Sequence, residues 1–86
     1  MKKIIVTGGL GFIGSNLIEI LLKKNFYVIN LDKITYSSNF YNIKEFKKSK
    51  KYKFIKFDIQ NKNLRKIISK YKPFGIFNLA AETHVD

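Results

Sequence analysis

Three glycines, at positions 8, 11 and 14, constrain this chain more than any other feature. They follow a short apolar run, Ile4-Ile5-Val6, and precede a run of helical periodicity from Ser15 to Lys24. A strand, a tight turn and a helix in that order bring the helix start up against the strand end. The first amides of a helix have no intrahelical acceptor, and the positive end of the helix dipole lies there. Such a junction receives anions. The G-x-x-G-x-x-G spacing gives each glycine its own reason. Gly8 permits the turn off the strand. Gly11 lets the backbone approach a pyrophosphate with no Cβ in the way. Gly14 lets the helix pack close to the sheet.

A second apolar run, Phe26 to Leu31, ends on Asp32. A carboxylate at that strand end accepts hydrogen bonds from the diol of an adenosine ribose, so glycines and acid together predict a dinucleotide site. The same carboxylate repels a 2′-phosphate, which favours NAD over NADP, while the cation of Lys33 beside it pulls the other way. A purely structural reading also exists: a βα turn with Asp32 capping the next segment.

Strand and helix signals alternate along the chain. Lys3 to Thr7 predicts a buried strand, and Phe12 to Lys24 a helix with Ile13, Leu17, Ile18, Leu21 and Leu22 on one face. After the second strand, Tyr36 to Asn39 is turn-prone, and Tyr41 to Lys50 predicts a weaker helix carried by Ile43 and Phe46. Tyr52 to Phe57 alternates aromatic and apolar residues with lysines, as a half-exposed or edge strand does. Asn61 to Tyr71 predicts a third helix with Leu64, Ile67 and Ile68 inward, capped by Asn61 or Asn63 and ended by Lys72-Pro73. Phe74 to Ala81 predicts a fourth strand. The expected architecture is α/β: the N-terminal part of a Rossmann doubly wound parallel sheet, strand order 3-2-1-4, in one incomplete domain over residues 1–86. Ligands of such sheets sit at the carboxyl ends of the strands. Thr7-Gly8, Asp32-Lys33, Asp58 and Glu82-Thr83-His84 all fall there.

The chain carries 17 basic and six acidic residues, a formal charge of +11, much of it between Lys44 and Lys53. A basic nucleic-acid binder is the reading charge alone would support. Only Arg65 among the basic residues is arginine, whereas base and phosphate recognition favours the guanidinium fork, so no specific nucleic-acid partner is expected. No cysteine is present, which excludes disulfides and thiolate metal sites; no metal ligands are assigned. No apolar run approaches the ~18 residues that span a bilayer, and Thr7-Gly8-Gly9 interrupts the apolar start too early for a signal peptide. No membrane partner and a cytoplasmic location are expected.

The glycine segment, Asp32-Lys33-Ile34-Thr35-Tyr36, Phe57-Asp58-Ile59 and Asn78 to Asp86 together resemble the extended short-chain dehydrogenase/reductases. Asp32 to Tyr36 and Ala80-Ala81-Glu82-Thr83-His84-Val85-Asp86 are more similar to the dTDP-glucose 4,6-dehydratases within them than to the sugar-nucleotide epimerases. The resemblance spans the chain but only about the first quarter of such an enzyme. It implies NAD as cofactor. Phe12 and Ile13 would present amides to the pyrophosphate, beside Gly8, Gly11 and Gly14. Asp32 would hold the ribose, with Lys33, Ile34 and Thr35 around it, and Asp58 and Ile59 would border the adenine. Leu79, Ala80, Ala81 and Glu82 would run along the nicotinamide half, and Thr83 would adjoin both nicotinamide and sugar. His84, alone at an expected helix start, is read as structural.

The family oxidises the sugar C4 hydroxyl with NAD, eliminates water across C5 and C6, and returns the hydride to C6. The oxidation needs a Tyr-x-x-x-Lys pair, which the family places downstream. Tyr52-Lys53-Phe54-Ile55-Lys56 matches the spacing. On a strand, however, residues four apart stand roughly 13 Å apart, whereas the chemistry needs them one helical turn apart. No catalytic residue is therefore assigned, and the 86 residues are expected to be inactive alone. A sugar nucleotide and a homodimer are implied for the full-length enzyme only. Another sugar-nucleotide epimerase or dehydratase, or a stand-alone nucleotide-binding module, remain alternatives. The outer edge of strand 4, Ile76 to Leu79, is expected to offer a template for pairing with other chains.

Overall fold

The computed structural model describes residues 1–34 and 40–79. β1 (Lys3–Thr7) leads through the glycine turn into α1 (Phe12–Lys23), and β2 (Tyr27–Asp32) follows. A 3-10 turn (Phe40–Ile43) precedes β3 (Tyr52–Lys56), and α2 (Leu64–Tyr71) precedes β4 (Gly75–Asn78). The four strands are all parallel, in the order β3-β2-β1-β4. Thr7 stands level with Leu31 on one side and Asn78 on the other, and Asp32 is level with Lys56. The carboxyl ends of all four strands therefore lie along one rim, and the chain order reverses between β1 and β4.

Both faces of the sheet are apolar, as a parallel sheet requires. Ile4, Val6 and Val28 pack with Leu10 and with Ile18, Leu21 and Leu22 of α1. Ile5, Ile29 and Leu31 point the other way, against the half-buried Leu64, Ile67, Ile68 and Tyr71 of α2. The two helices thus cover opposite faces, the arrangement right-handed crossovers produce in a doubly wound sheet.

Helix α1 ends where Asn25 turns left-handed, with φ 72°. The Asn25 amide then donates to Leu22 O and the Phe26 amide to Leu21 O, closing the last turn. Lys51 adds a second closure, its Nζ lying 2.9 Å from Leu22 O and 3.0 Å from Asn25 Oδ1.

Three expectations are corrected. Ile13 does not join the inward face of α1; it is 73% exposed. The buried stripe runs through Gly14, Ile18, Leu21 and Leu22, one position on from Ile13. Tyr41 to Lys50 is no α-helix. Beyond the 3-10 turn, one further turn closes as the Phe46 and Lys47 amides both reach Ile43 O. Ile43 and Phe46 are the two buried anchors, and Lys44, Lys47 and Lys48, three and four apart, repel one another on a helix. Neither Asn61 nor Asn63 caps the amides of α2 with its side chain. Asn61 Oδ1 instead accepts from the Asn63 amide at 2.8 Å, forming the turn that precedes the helix.

Candidate functional site

The glycine turn is built from β1 outward. Gly8 takes φ 78°, a backbone conformation that a side chain would strain, and its amide donates to Leu31 O at 2.9 Å. The next two residues, Gly9 and Leu10, are held through their backbone by three side chains. Asn30 Oδ1 accepts from the Gly9 amide at 2.9 Å, Asp32 Oδ2 from the Leu10 amide at 3.0 Å, and Asn42 Nδ2 donates to Leu10 O at 3.1 Å. The Leu10 side chain is fully buried below. Side chains from β2 and from the 3-10 turn thus brace the loop.

Gly11 then caps α1 in an extended conformation, with no side chain bonded to the helix amides. The amides of Phe12, Ile13 and Gly14 have no partner among the described residues, while the Ser15 amide begins the helical ladder at Gly11 O. Three orphan donors at the positive end of a helix form a cradle for an anion. The glycines divide as their spacing suggests, with one refinement. A Cβ on Gly11 would meet only Gly8 O, at an ordinary 3.6 Å, so that side is open. A Cβ on Gly14 would run into Gly8 O and stand 2.8 Å from the Gly9 Cα. Gly14 thus brings the helix against the glycine turn itself. Gly9, which the motif does not require, is equally constrained, because a Cβ there would run into the Asn30 amide and Ile18.

Asp32 ends β2 and is 6% exposed. Its Oδ1 accepts from the Ile34 amide at 2.8 Å, and its Oδ2 from Leu10. A carboxylate can accept at about four sites, so the group that anchors the loop can also receive a ribose diol. Lys33 is exposed beside it, and Ile34 takes φ 61°, a left-handed conformation costly for a β-branched residue. Phe57 donates its amide to Asp32 O, which brings the exposed Asp58 and half-buried Ile59 next to the end of β2. Asp58 Oδ1 accepts from the Gln60 amide at 2.9 Å, shaping that turn. On the other side, Thr7 Oγ1 donates to Asn78 Oδ1 at 2.6 Å and the Leu79 amide to Thr7 O. The predicted residues Gly8, Gly11, Phe12, Ile13, Gly14, Asp32, Lys33, Ile34, Asp58, Ile59 and Leu79 therefore gather on one rim. Thr35, Ala80, Ala81, Glu82, Thr83 and His84 lie outside the described residues.

Asn30 and Tyr52 are the residues sequence reasoning missed. Asn30 is fully buried, and its Nδ2 donates to Tyr52 Oη at 3.0 Å. The Tyr52 ring meets Phe46 edge-on, 5.2 Å between centroids. Burial pushes the Tyr52 phenol above its usual 10.0; the hydrogen bond from Asn30 opposes this and the charge of Asp32 adds to it. This is the reverse of what a catalytic tyrosine needs, and Tyr52 and Lys56 share one strand as expected. A shallow groove at the far end of α1 mixes Lys23, Lys44 and Lys48 with Glu19 and Glu45, and carries no convergent chemistry. No described helix is long and apolar enough to cross a membrane.

Comparison with known proteins gives this geometry a family. A profile for GDP-mannose 4,6 dehydratase matches residues 5–86. The dTDP-glucose 4,6-dehydratase of Haemophilus influenzae is 44% identical, over all of this chain and 26% of its own length. The crystal structure of the Bacillus anthracis dTDP-glucose 4,6-dehydratase, in complex with NAD, is similar at TM-score 0.87 and 40% identity. That similarity covers 95% of this chain and 27% of the other. The Streptomyces venezuelae dTDP-glucose 4,6-dehydratase, also with NAD bound, is similar at TM-score 0.80 and 34% identity, over 98% of this chain and 28% of that one. The chain thus spans about a quarter of the length of the relatives it matches.

Proposed function

The chain belongs to the GDP-mannose 4,6 dehydratase family, and from that premise we propose that its 86 residues form the NAD-holding part of a dTDP-glucose 4,6-dehydratase. One observation carries the reading. Three amides at the start of α1, without partners among the described residues, stand one strand away from Asp32, and the hydrogen bond from Leu10 N–H to Asp32 Oδ2 ties the two together. An anion cradle beside a diol acceptor matches the pyrophosphate and the adjoining ribose of an adenosine diphosphate.

The residues present fit NAD. Phe12, Ile13 and Gly14 would donate to the pyrophosphate, and the open side of Gly11 leaves room for it. Asp32 would accept from the adenosine ribose, with Lys33, Ile34 and Thr35 beside it. Asp58 and Ile59 would border the adenine. Leu79, Ala80, Ala81, Glu82 and Thr83 would follow the nicotinamide half, with Thr83 also meeting the sugar. When bound, NAD supplies a hydride acceptor that later returns the hydride, which is what dehydration of a sugar nucleotide through a 4-keto sugar requires. The chain's own share is binding and orientation. Tyr52 and Lys56, its one Tyr-x-x-x-Lys match, lie on β3 and take no part in proton transfer. A sugar-nucleotide substrate and a homodimeric partner belong to the whole enzyme.

The test compares two glycine substitutions by calorimetric titration with NAD. Gly11→Ala suits its backbone and meets only an ordinary contact, so stability should change by about 0.5 kcal/mol or less while NAD affinity falls at least tenfold. Gly14→Ala should instead destabilise the fold by about 1–3 kcal/mol through overpacking. Unchanged NAD affinity in Gly11→Ala would refute the placement of the pyrophosphate.

A further inference from the structure

We propose that Asn30, backed by Tyr52, is a positioning residue for the anion cradle: it fixes the Gly8–Gly9 peptide through the Gly9 amide and so aims the amides of Phe12, Ile13 and Gly14 outward. The proposal rests on the dinucleotide reading above and goes beyond it, because Asn30 is 0% exposed and cannot touch a ligand.

The argument begins with the cost of the residue. Asn30 sits inside β2 between Ile29 and Leu31, both fully buried. A valine there would pack the sheet without desolvating an amide, which is costly wherever its hydrogen bonds are missing. The amide is satisfied at both ends, and only one orientation achieves this. The Gly9 amide is a donor, so it must face Oδ1. Nδ2 must then find an acceptor, and Tyr52 Oη, 3.0 Å away, provides it. A phenylalanine at 52 would leave Nδ2 unpaired and remove the bond that braces the amide from behind. The register sets Tyr52 level with Val28, two residues before Asn30, so its long side chain reaches up β2 towards the rim. The glycine turn rests directly on the Asn30 amide, since the space a Gly9 Cβ would need is taken by Asn30 and Ile18. Two residues further on, Gly11 opens α1. A shift of the Gly9 peptide therefore redirects the first helical amides.

The test uses Tyr52→Phe and Asn30→Ala in the full chain, below the unfolding temperature of each. Tyr52→Phe keeps the ring packing, so it remains informative if Asn30→Ala fails to fold. Amide hydrogen exchange is read by NMR at Gly9, Leu10 and Gly11 without ligand, and dissociation constants are measured for NAD and for adenosine. Exchange at Gly9 should accelerate at least tenfold in Tyr52→Phe, and NAD should bind about fivefold more weakly while adenosine, which lacks the pyrophosphate, is unaffected. A lower unfolding temperature with Gly9 exchange and NAD affinity unchanged would reduce the pair to a structural role and overturn the proposal. Equal weakening of NAD and adenosine would overturn it as well. If the unsubstituted chain binds no NAD, the dinucleotide reading fails, and the exchange measurement alone decides whether the pair sets the loop.

Discussion

At the scale of residues, position decides what a side chain can do. Tyr52 carries the right functional group four residues before a lysine, yet it is 8% exposed, neutral and committed to Asn30. Burial raises its phenol above the 10.0 it has in the unfolded chain, so the folded state keeps a proton that the unfolded state loses first. Its contribution to stability is complete below pH 10 and is lost as pH rises from there through the raised folded value. The difference in unfolding free energy between the chain and Tyr52→Phe, measured by denaturant titration, should be flat below pH 10 and shrink above it. A difference that stays flat above pH 10 would show that Tyr52 is not held neutral. Gly8, Gly11, Gly14 and Asp32 were legible in the sequence because each answers a backbone or charge demand fixed by spacing. Asn30 and Gly9 were not. A polar residue inside an apolar run gives no sign of which way it faces, and nothing in spacing says that a turn will rest on it.

At the scale of elements, hydrophobic periodicity identified four strands and two helices to within a few residues. It failed between Tyr41 and Lys50, where two apolar anchors three apart suit a 3-10 turn as well as a helix and lysines weaken the longer form. It also placed Ile13 inward, because the face of a helix is ambiguous by one position near its start. What joins the elements is less visible still. Lys51, in the basic run between Lys44 and Lys53, closes α1 from the far side through Leu22 O and Asn25 Oδ1. Lys51→Met keeps most of the aliphatic stem and removes both hydrogen bonds. It should cost about 1 kcal/mol in denaturant unfolding, with faster amide exchange confined to the last turn of α1. No loss of stability would mean that the lysine is solvated after all.

At the scale of the whole molecule, two properties stand apart: a rim of strand ends that gathers the site, and a charge of +11 that surrounds it. Like charges spread over so small a fold repel within the ~10 Å screening length of 0.1 M salt. Added sodium chloride should therefore raise the melting temperature, by roughly 4 °C if screening recovers about 1 kcal/mol. A fall would show that ion pairing, as between Lys23 and Glu19 at 3.5 Å, outweighs the repulsion. The rim carries the functional claim, and the charge complicates it, because a polyanion or a nucleotide can adhere to lysines without a site. An NMR titration with NAD at moderate salt separates the two most directly. The account predicts that the amides of Phe12, Ile13 and Gly14 shift together with those of Leu10 and Ile34 around Asp32, saturably, and more weakly with NADP. Shifts confined to residues 44–53 that vanish as salt rises, or none at the glycine turn, would contradict it.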